Sequence, residues 1–205
     1  MISTTGSIQY SVNVEQKVEG SSSPKTLAEE KFIVQGPLVN HDLLSSVAGT
    51  AEKYVLLHGG RVAMHAICVR KGHAQGEPIT VHLKIDNDSS ALVEPKLVLH
   101  QVQVFSCCRT NRHKSVETRL EPVVTGKQVA AHSLGVEEVL SLTVPTDENL
   151  TIKTPQISVK YFVEIELAIP HSPDLRLNLP IVITSKEFLQ AAKEKGTSCG
   201  SSQIQ

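Results

Sequence analysis

Between residues 157 and 169 the chain reads ISVKYFVEIELAI, with Ile157, Val159, Tyr161, Val163, Ile165, Leu167 and Ile169 at every second position. Ser158, Lys160, Glu164 and Glu166 occupy the alternate positions, broken only by Phe162 and Ala168. Successive side chains of a strand point to opposite faces, whereas a helix would scatter this pattern around its whole circumference. The segment therefore has to be a long strand with one face in a core. Leu175, Leu177, Leu179, Ile181 and Ile183 repeat the period, and His171-Ser172-Pro173-Asp174 between the two runs is turn chemistry, so the pair predicts a hairpin.

The same alternation marks Ile8, Tyr10, Val12 and Val14, and again Ile79, Val81, Leu83 and Ile85. Further strands are expected at 26–35, 54–58, 62–70, 97–105, 115–120 and 139–144, separated by Ser- and Pro-rich, Gly-Gly and Asn-Asp-Ser-Ser turns. Only 185–195 looks helical, with Ser185 as N-cap and Gly196 as a stop, and the end GTSCGSSQIQ is expected to be disordered. So many strands with so little helix define an all-β chain of one or two sandwiches. Regular strand spacing from 72 to 184 closes one complete sandwich. Residues 1–71 hold too few strands for a second, so partner strands are missing there, and 185–205 form a short tail. In VEPKLVLHQVQVF, residues 93–105, Gln101 and Gln103 face away from His100, Val102 and Val104, and that glutamine side is expected to be the wetter one.

Twenty Lys and Arg against 21 Asp and Glu give a net charge of -1, which offers no general attraction to nucleic acid or membrane. Aromatic residues are 3% with no Trp, removing stacking platforms for bases and sugars. No run approaches the about 18 apolar residues of a membrane span, and MISTTGSIQY has no signal-peptide character. The expected compartment is the cytoplasm, with Cys68, Cys107, Cys108 and Cys199 as reduced thiols. Asn87-Asp88-Ser89 and Asn149-Leu150-Thr151 are then chance matches to a glycosylation triplet.

No nucleophile elbow, phosphate loop, dinucleotide fingerprint or zinc-protease motif occurs, so no catalytic residue and no cofactor is expected. The glycines of Lys71 to Glu77 precede no helix that could hold a phosphate, and this stretch reads as a turn feeding a strand. The nine histidines form no metal-ligand spacing, and only His82 and His100 could meet, if their strands are neighbours. Cys107, Cys108 and His113 share a loop with Arg109, Arg112 and Lys114, where cations would lower a thiol pKa, so a redox or metal-binding role there is an alternative. Arg109, Arg112, Lys114 and Arg119 are the candidate contacts for a partner, for one phosphate group or weakly for anionic headgroups.

RKGHAQGEPITVHLKIDNDSSALVEPKLVLHQVQVF, from Arg70, resembles the opening of the C-terminal domain of the arrestin-domain-containing proteins, or α-arrestins. The shared order is Arg70-Lys71-Gly72, Gly76-Glu77, Ile85 to Ser90, Val93 with Pro95 and Lys96, and the strand bearing Gln101 and Gln103. VKYFVEIELAIP and LNLPIVITS resemble that domain's Val-x-Tyr strand and its ending, and GSIQYSVNVEQKV and KFIVQGP resemble the last strands of the N-terminal domain. The resemblance implies an immunoglobulin-like (E-set) β-sandwich of the arrestin type, complete over 72–184 and partial over 1–71. It also implies a non-enzymatic adaptor that binds receptors or transporters and trafficking machinery, recruited to plasma membrane or endosomes. Many α-arrestins recruit HECT ubiquitin ligases through Pro-Pro-x-Tyr, which this sequence lacks, and one branch binds thioredoxin through a cysteine that residues 151–160 lack. A truncated form competing with longer relatives is the other reading.

Overall fold

A computed structural model describes residues 9–17, 25–32, 42–107 and 112–198. The chain divides into two compact units, residues 1–39 and 40–205. In the first, β1 (Tyr10–Gln16) and β2 (Lys25–Phe32) form an antiparallel hairpin with Tyr10 opposite Phe32 and an irregularity between Val14 and Glu15. Val12, Val14 and Leu27 are all more than half exposed, so the described hairpin supplies no core of its own.

The second unit runs through β3 (Val47–Val55), a 3-10 turn (Leu56–His58), β4 (Gly60–Cys68), β5 (Gly72–Ala74), β6 (Pro78–Asn87) and β7 (Glu94–Cys107). It continues with β8 (Arg112–Thr125), β9 (Ser133–Thr143), β10 (Ile152–Lys153), β11 (Ile157–Ala168), β12 (Leu175–Thr184) and α1 (Lys186–Ser198). One sheet has the order β3-β4-β6-β9, the other β5-β12-β11-β7-β8 with β10 also paired to β11. Every pairing is antiparallel except β5 with β12. The apolar half of the β11 alternation is realised: Ile157, Val159, Tyr161, Val163, Ile165 and Leu167, and Ile169 beyond the strand, are all buried. With Val62, Met64 and Ala66 of β4, Ile79 to Ile85 of β6 and Leu97 and Leu99 of β7 they make the aliphatic core. Each such valine, leucine or isoleucine contributes about 1.5–3 kcal/mol by leaving water. The β11–β12 hairpin forms as expected, closing from Leu167 opposite Leu175, with His171 in the left-handed region.

The boundary expected at 71/72 falls inside this unit. β3 and β4 lie in one sheet with β6 and β9, and the division between the two compact units falls at residues 39 and 40. The strand expected at 54–58 ends at Val55 and extends back to Val47, because its inward side chains include Gly49 and Ala51, too small to give an apolar signal. A methyl group on Gly49 would stand 2.9 Å from Leu177 Cδ1, so β12 packs against bare backbone there. β8 and β9 are longer than expected, and β5, three residues long, forms within the stretch that reads as a turn. Ser185 caps α1 through a 3.3 Å bond from the Phe188 N–H to its hydroxyl, but the helix runs past Gly196 to Ser198. Residues 199–205, expected to be disordered, lie outside the described residues. Among the described residues no helix is long and apolar enough to cross a membrane.

Candidate interaction surface

β7 is the strand from which the candidate surface is built, because it lies between β11 and the edge strand β8. Its glutamines do not face the wetter side. Gln101 stands opposite Tyr161 and Gln103 opposite Val159, and Gln101, Tyr161 and Val159 are all buried on the core face. The Gln101 amide donates to the Tyr161 hydroxyl and to Glu148 Oε2, each at 2.6 Å, and Gln103 donates to Gln101 Oε1. The Tyr161 hydroxyl donates to the Asn149 carbonyl, and Gln75 donates to the Glu148 carbonyl. A polar side chain can be buried when its groups are paired, and here the pairing fastens the 144–151 connection over one end of the sandwich. Burial drives the Tyr161 phenol well above its usual range, against the Gln101 bond.

Burial also raises the Glu148 carboxyl, assisted by Asp147 and opposed by the Gln101 amide. A carboxyl with a raised folded-state pKa favours the fold most when protonated. Its ionisation therefore becomes a penalty as pH climbs through the raised value, and the penalty persists at neutral pH. Glu148→Gln, which keeps an acceptor for Gln101, is expected to raise the urea midpoint at about pH 7, with the gain shrinking toward about pH 4. An equal or growing gain in acid would contradict this assignment.

The outer face of the same strands is not simply solvated. His100 pairs with Phe162 across the ladder and stacks on its ring, centroids 4.8 Å apart and planes 10° apart. Its Nδ1 lies 3.0 Å from Glu117 Oε1 and its Nε2 3.5 Å from Glu164 Oε1. Both nitrogens are shielded from solvent, yet neither carboxylate lies in line with the ring for a hydrogen bond. Glu164 and Glu166, outward by alternation, are likewise buried, Glu166 3.2 Å from Arg176. His82 is in the other sheet, opposite Ile67 and Val139, so it does not meet His100.

Of the expected basic contacts, Arg109 lies outside the described residues, as does Cys108 of the alternative redox or metal-binding set. Arg112 stands opposite Cys107 and Lys114 opposite Phe105, so these two cations share one face of β8. Arg119, opposite His100, falls on the other face with His113 and Glu117, five residues or about 17 Å from Lys114. The cluster is thus divided: Arg112 and Lys114 together, Arg119 apart. All three are exposed and form no ion pair among the described residues, along a stretch that is the outer strand of its sheet. His113 Nδ1 lies 2.9 Å from the Ser106 hydroxyl, and no group of His, Cys, Asp and Glu able to hold a metal occurs among the described residues.

The Lys71 to Glu77 stretch is more than a turn. Gly72 to Ala74 add β5 in parallel to β12, and a methyl group on Gly72 would sit 2.7 Å from Leu43 Cβ. Arg70 bonds Glu77 at 2.8 Å, and the same Glu77 oxygen accepts the Ala74 N–H. Burial pushes the Glu77 carboxyl up, but the Ala74 bond with the Arg70 and Lys193 charges outweighs it and leaves it below the usual range. Cys68 and His73 are buried behind this turn, Sγ to Nε2 3.7 Å. Burial raises the thiol and lowers the imidazole, so the pair is neutral packing with no reactive thiolate.

Residues 58–188 match the family model described as the arrestin (or S-antigen) C-terminal domain. The chain belongs to that family. It is 31% identical over 186 residues to human arrestin domain-containing protein 4, covering 87% of this chain and 43% of that protein. It is 27% identical to pig thioredoxin-interacting protein (80% and 42% covered) and 26% identical to the mouse protein of that name (93% and 49%). These relatives are α-arrestins, and the chain spans less than half the length of each. The crystal structure of Spo0M, a sporulation control protein from Bacillus subtilis, superposes with a TM-score of 0.50 at 15% identity, covering 69% of this chain and 56% of that one. That likeness concerns the fold alone.

Proposed function

We propose that this chain works as a non-enzymatic adaptor in intracellular sorting of membrane proteins, binding receptor or transporter cargo from the cytoplasmic side. Membership of the arrestin C-terminal domain family carries the reading. The exposed outer strand β8, with Arg112 and Lys114 on one face, supports a partner contact made partly by backbone edge and partly by charge. In this proposal residues 1–39 belong with the strands of an N-terminal arrestin domain. Thioredoxin, which the name of two relatives invokes, is not assigned as a partner, because residues 151–160 hold no cysteine.

Proximity labelling from the chain in living cells, read as enrichment of plasma-membrane and endosomal proteins, tests the role. Arg112→Glu with Lys114→Glu is expected to cut recovery of the enriched cargo roughly fivefold, and Arg119→Glu to cut it less. Equal loss from the double and the single variant would bring both faces of β8 into the contact and overturn the assignment to the Arg112 and Lys114 face, and no loss from either would remove β8 from it. Absence of membrane-protein enrichment would refute the adaptor reading itself.

A further inference from the structure

The sequence contains three Ser/Thr-Pro dipeptides: Ser23-Pro24, Thr154-Pro155 and Ser172-Pro173. Ser23 lies outside the described residues. Thr154 is committed to the fold, its hydroxyl donating to the Ile157 carbonyl at 2.7 Å and accepting the Ile157 N–H at 2.9 Å. Ser172 differs. It sits at the tip of the β11–β12 turn, half-exposed between exposed His171 and Pro173, and among the described residues its hydroxyl meets only the Lys53 ammonium, at 3.4 Å.

Lys53 is an unusual neighbour for a turn serine. It projects from β3, in the other sheet, and reaches across to donate to the Pro173 carbonyl. It forms no ion pair among the described residues, so its charge is uncompensated by any carboxylate there. Glu52, next to Lys53 in sequence, pairs with Arg61 at 3.0 Å, and Asp174, the acid nearest Ser172 in sequence, turns one oxygen back to the Ile169 N–H at 3.3 Å and the other toward Arg176 at 3.7 Å.

We propose that Ser172 is a phosphorylation site for a proline-directed serine/threonine kinase, with Lys53 as the cation that receives the phosphate. The γ-phosphoryl group of ATP passes to Ser172 Oγ: the new P–O bond forms as the bond to ADP breaks, and the hydroxyl proton leaves to the kinase's base. The product places a doubly charged group where a lone hydroxyl already approaches an ammonium, making a charge-assisted bond stronger than the one it replaces. Because Lys53 belongs to the four-stranded sheet and Ser172 to the turn of the six-stranded one, modification fastens the two layers at this end. His58 already bonds the Pro170 carbonyl there at 2.9 Å, so the phosphate reinforces an existing seam.

The full chain is incubated with ATP and a proline-directed kinase, the modified residue located by peptide mass spectrometry, and thermal unfolding compared before and after. Phosphate is expected at Ser172 and not at Thr154, to vanish in Ser172→Ala, and to fall about tenfold in Pro173→Ala. Modification is expected to raise Tm by about 3 °C in the parent and to leave Lys53→Gln unchanged. Lys53→Gln retains a donor for the Pro173 carbonyl, so it keeps the turn while removing the charge. No phosphate at Ser172, or a Tm shift that is absent or persists in Lys53→Gln, overturns the proposal.

Discussion

Asn87→Ala is expected to lower the unfolding free energy by about 3 kcal/mol, measured as a shift of the urea midpoint at unchanged slope. Asn87 is fully buried at the end of β6. Its amide nitrogen donates to the Ala91 carbonyl at 2.8 Å and the Ala130 carbonyl at 2.9 Å, and its oxygen accepts the Ser89 hydroxyl at 2.7 Å and the Ser89 N–H at 3.2 Å. One side chain thus holds the β6–β7 connection and the segment leading into β9. Each bond contributes about 1 kcal/mol net, and truncation strands buried carbonyls that must seek water or go unpaired. Asn87→Asp sharpens the test: it keeps the acceptor but aims a second oxygen at two carbonyls, so it should be at least as damaging as alanine. A tolerated aspartate would show that the donor half contributes little. The burial also explains why Asn87-Asp88-Ser89 cannot serve as a glycosylation acceptor in the folded chain.

The hub at Asn87 marks what the sequence did and did not disclose. Strand period was legible wherever one face is aliphatic and the other charged, as in β6, β11 and β12, because a half-buried strand leaves that pattern whatever lies around it. Orientation was not legible in β7. His100, Val102 and Val104 look like an inner face, and the glutamines look like an outer one, yet hydrogen bonds to Tyr161 and Glu148 reverse the choice. A signal existed: Tyr161 lies on the inward side of β11, and a buried phenol needs a partner. The burial of Glu164 and Glu166 had no such signal, since it depends on Arg176 and His100 from neighbouring strands. The division of the basic residues between two faces has a simpler cause. Lys114 and Arg119 are an odd number of residues apart in one strand, which puts them on opposite faces as soon as β8 is recognised to extend from 112 to 125.

Gly60→Ala is expected to cost about 3 kcal/mol or more and to leave little folded protein at 37 °C, read by circular dichroism and urea unfolding. Gly60 opens β4, buried, and a methyl group there would stand 2.1 Å from the Asp88 carbonyl oxygen and 2.6 Å from Ser89 Cα. Those atoms are backbone, not the ends of flexible side chains, so the β6–β7 connection would have to move as a whole. It cannot move freely, because the Asp88 N–H bonds the Arg61 carbonyl at 2.8 Å and the Ser90 N–H bonds the His58 carbonyl at 2.9 Å. Gly59 is the internal control: its φ of 49° costs an alanine about 1–2 kcal/mol, but nothing lies within 4 Å of the added methyl group. Asparagine at 59, which tolerates that conformation, should therefore be nearly neutral, while no residue with a side chain should be tolerated at 60. Because Gly60 and Asn87 act on the same connection, their effects should combine to less than their sum in a double-mutant cycle made in mild, fold-stabilising conditions. Additive losses would mean that the close approach at Gly60 and the hydrogen-bond hub at Asn87 hold different parts of the sandwich.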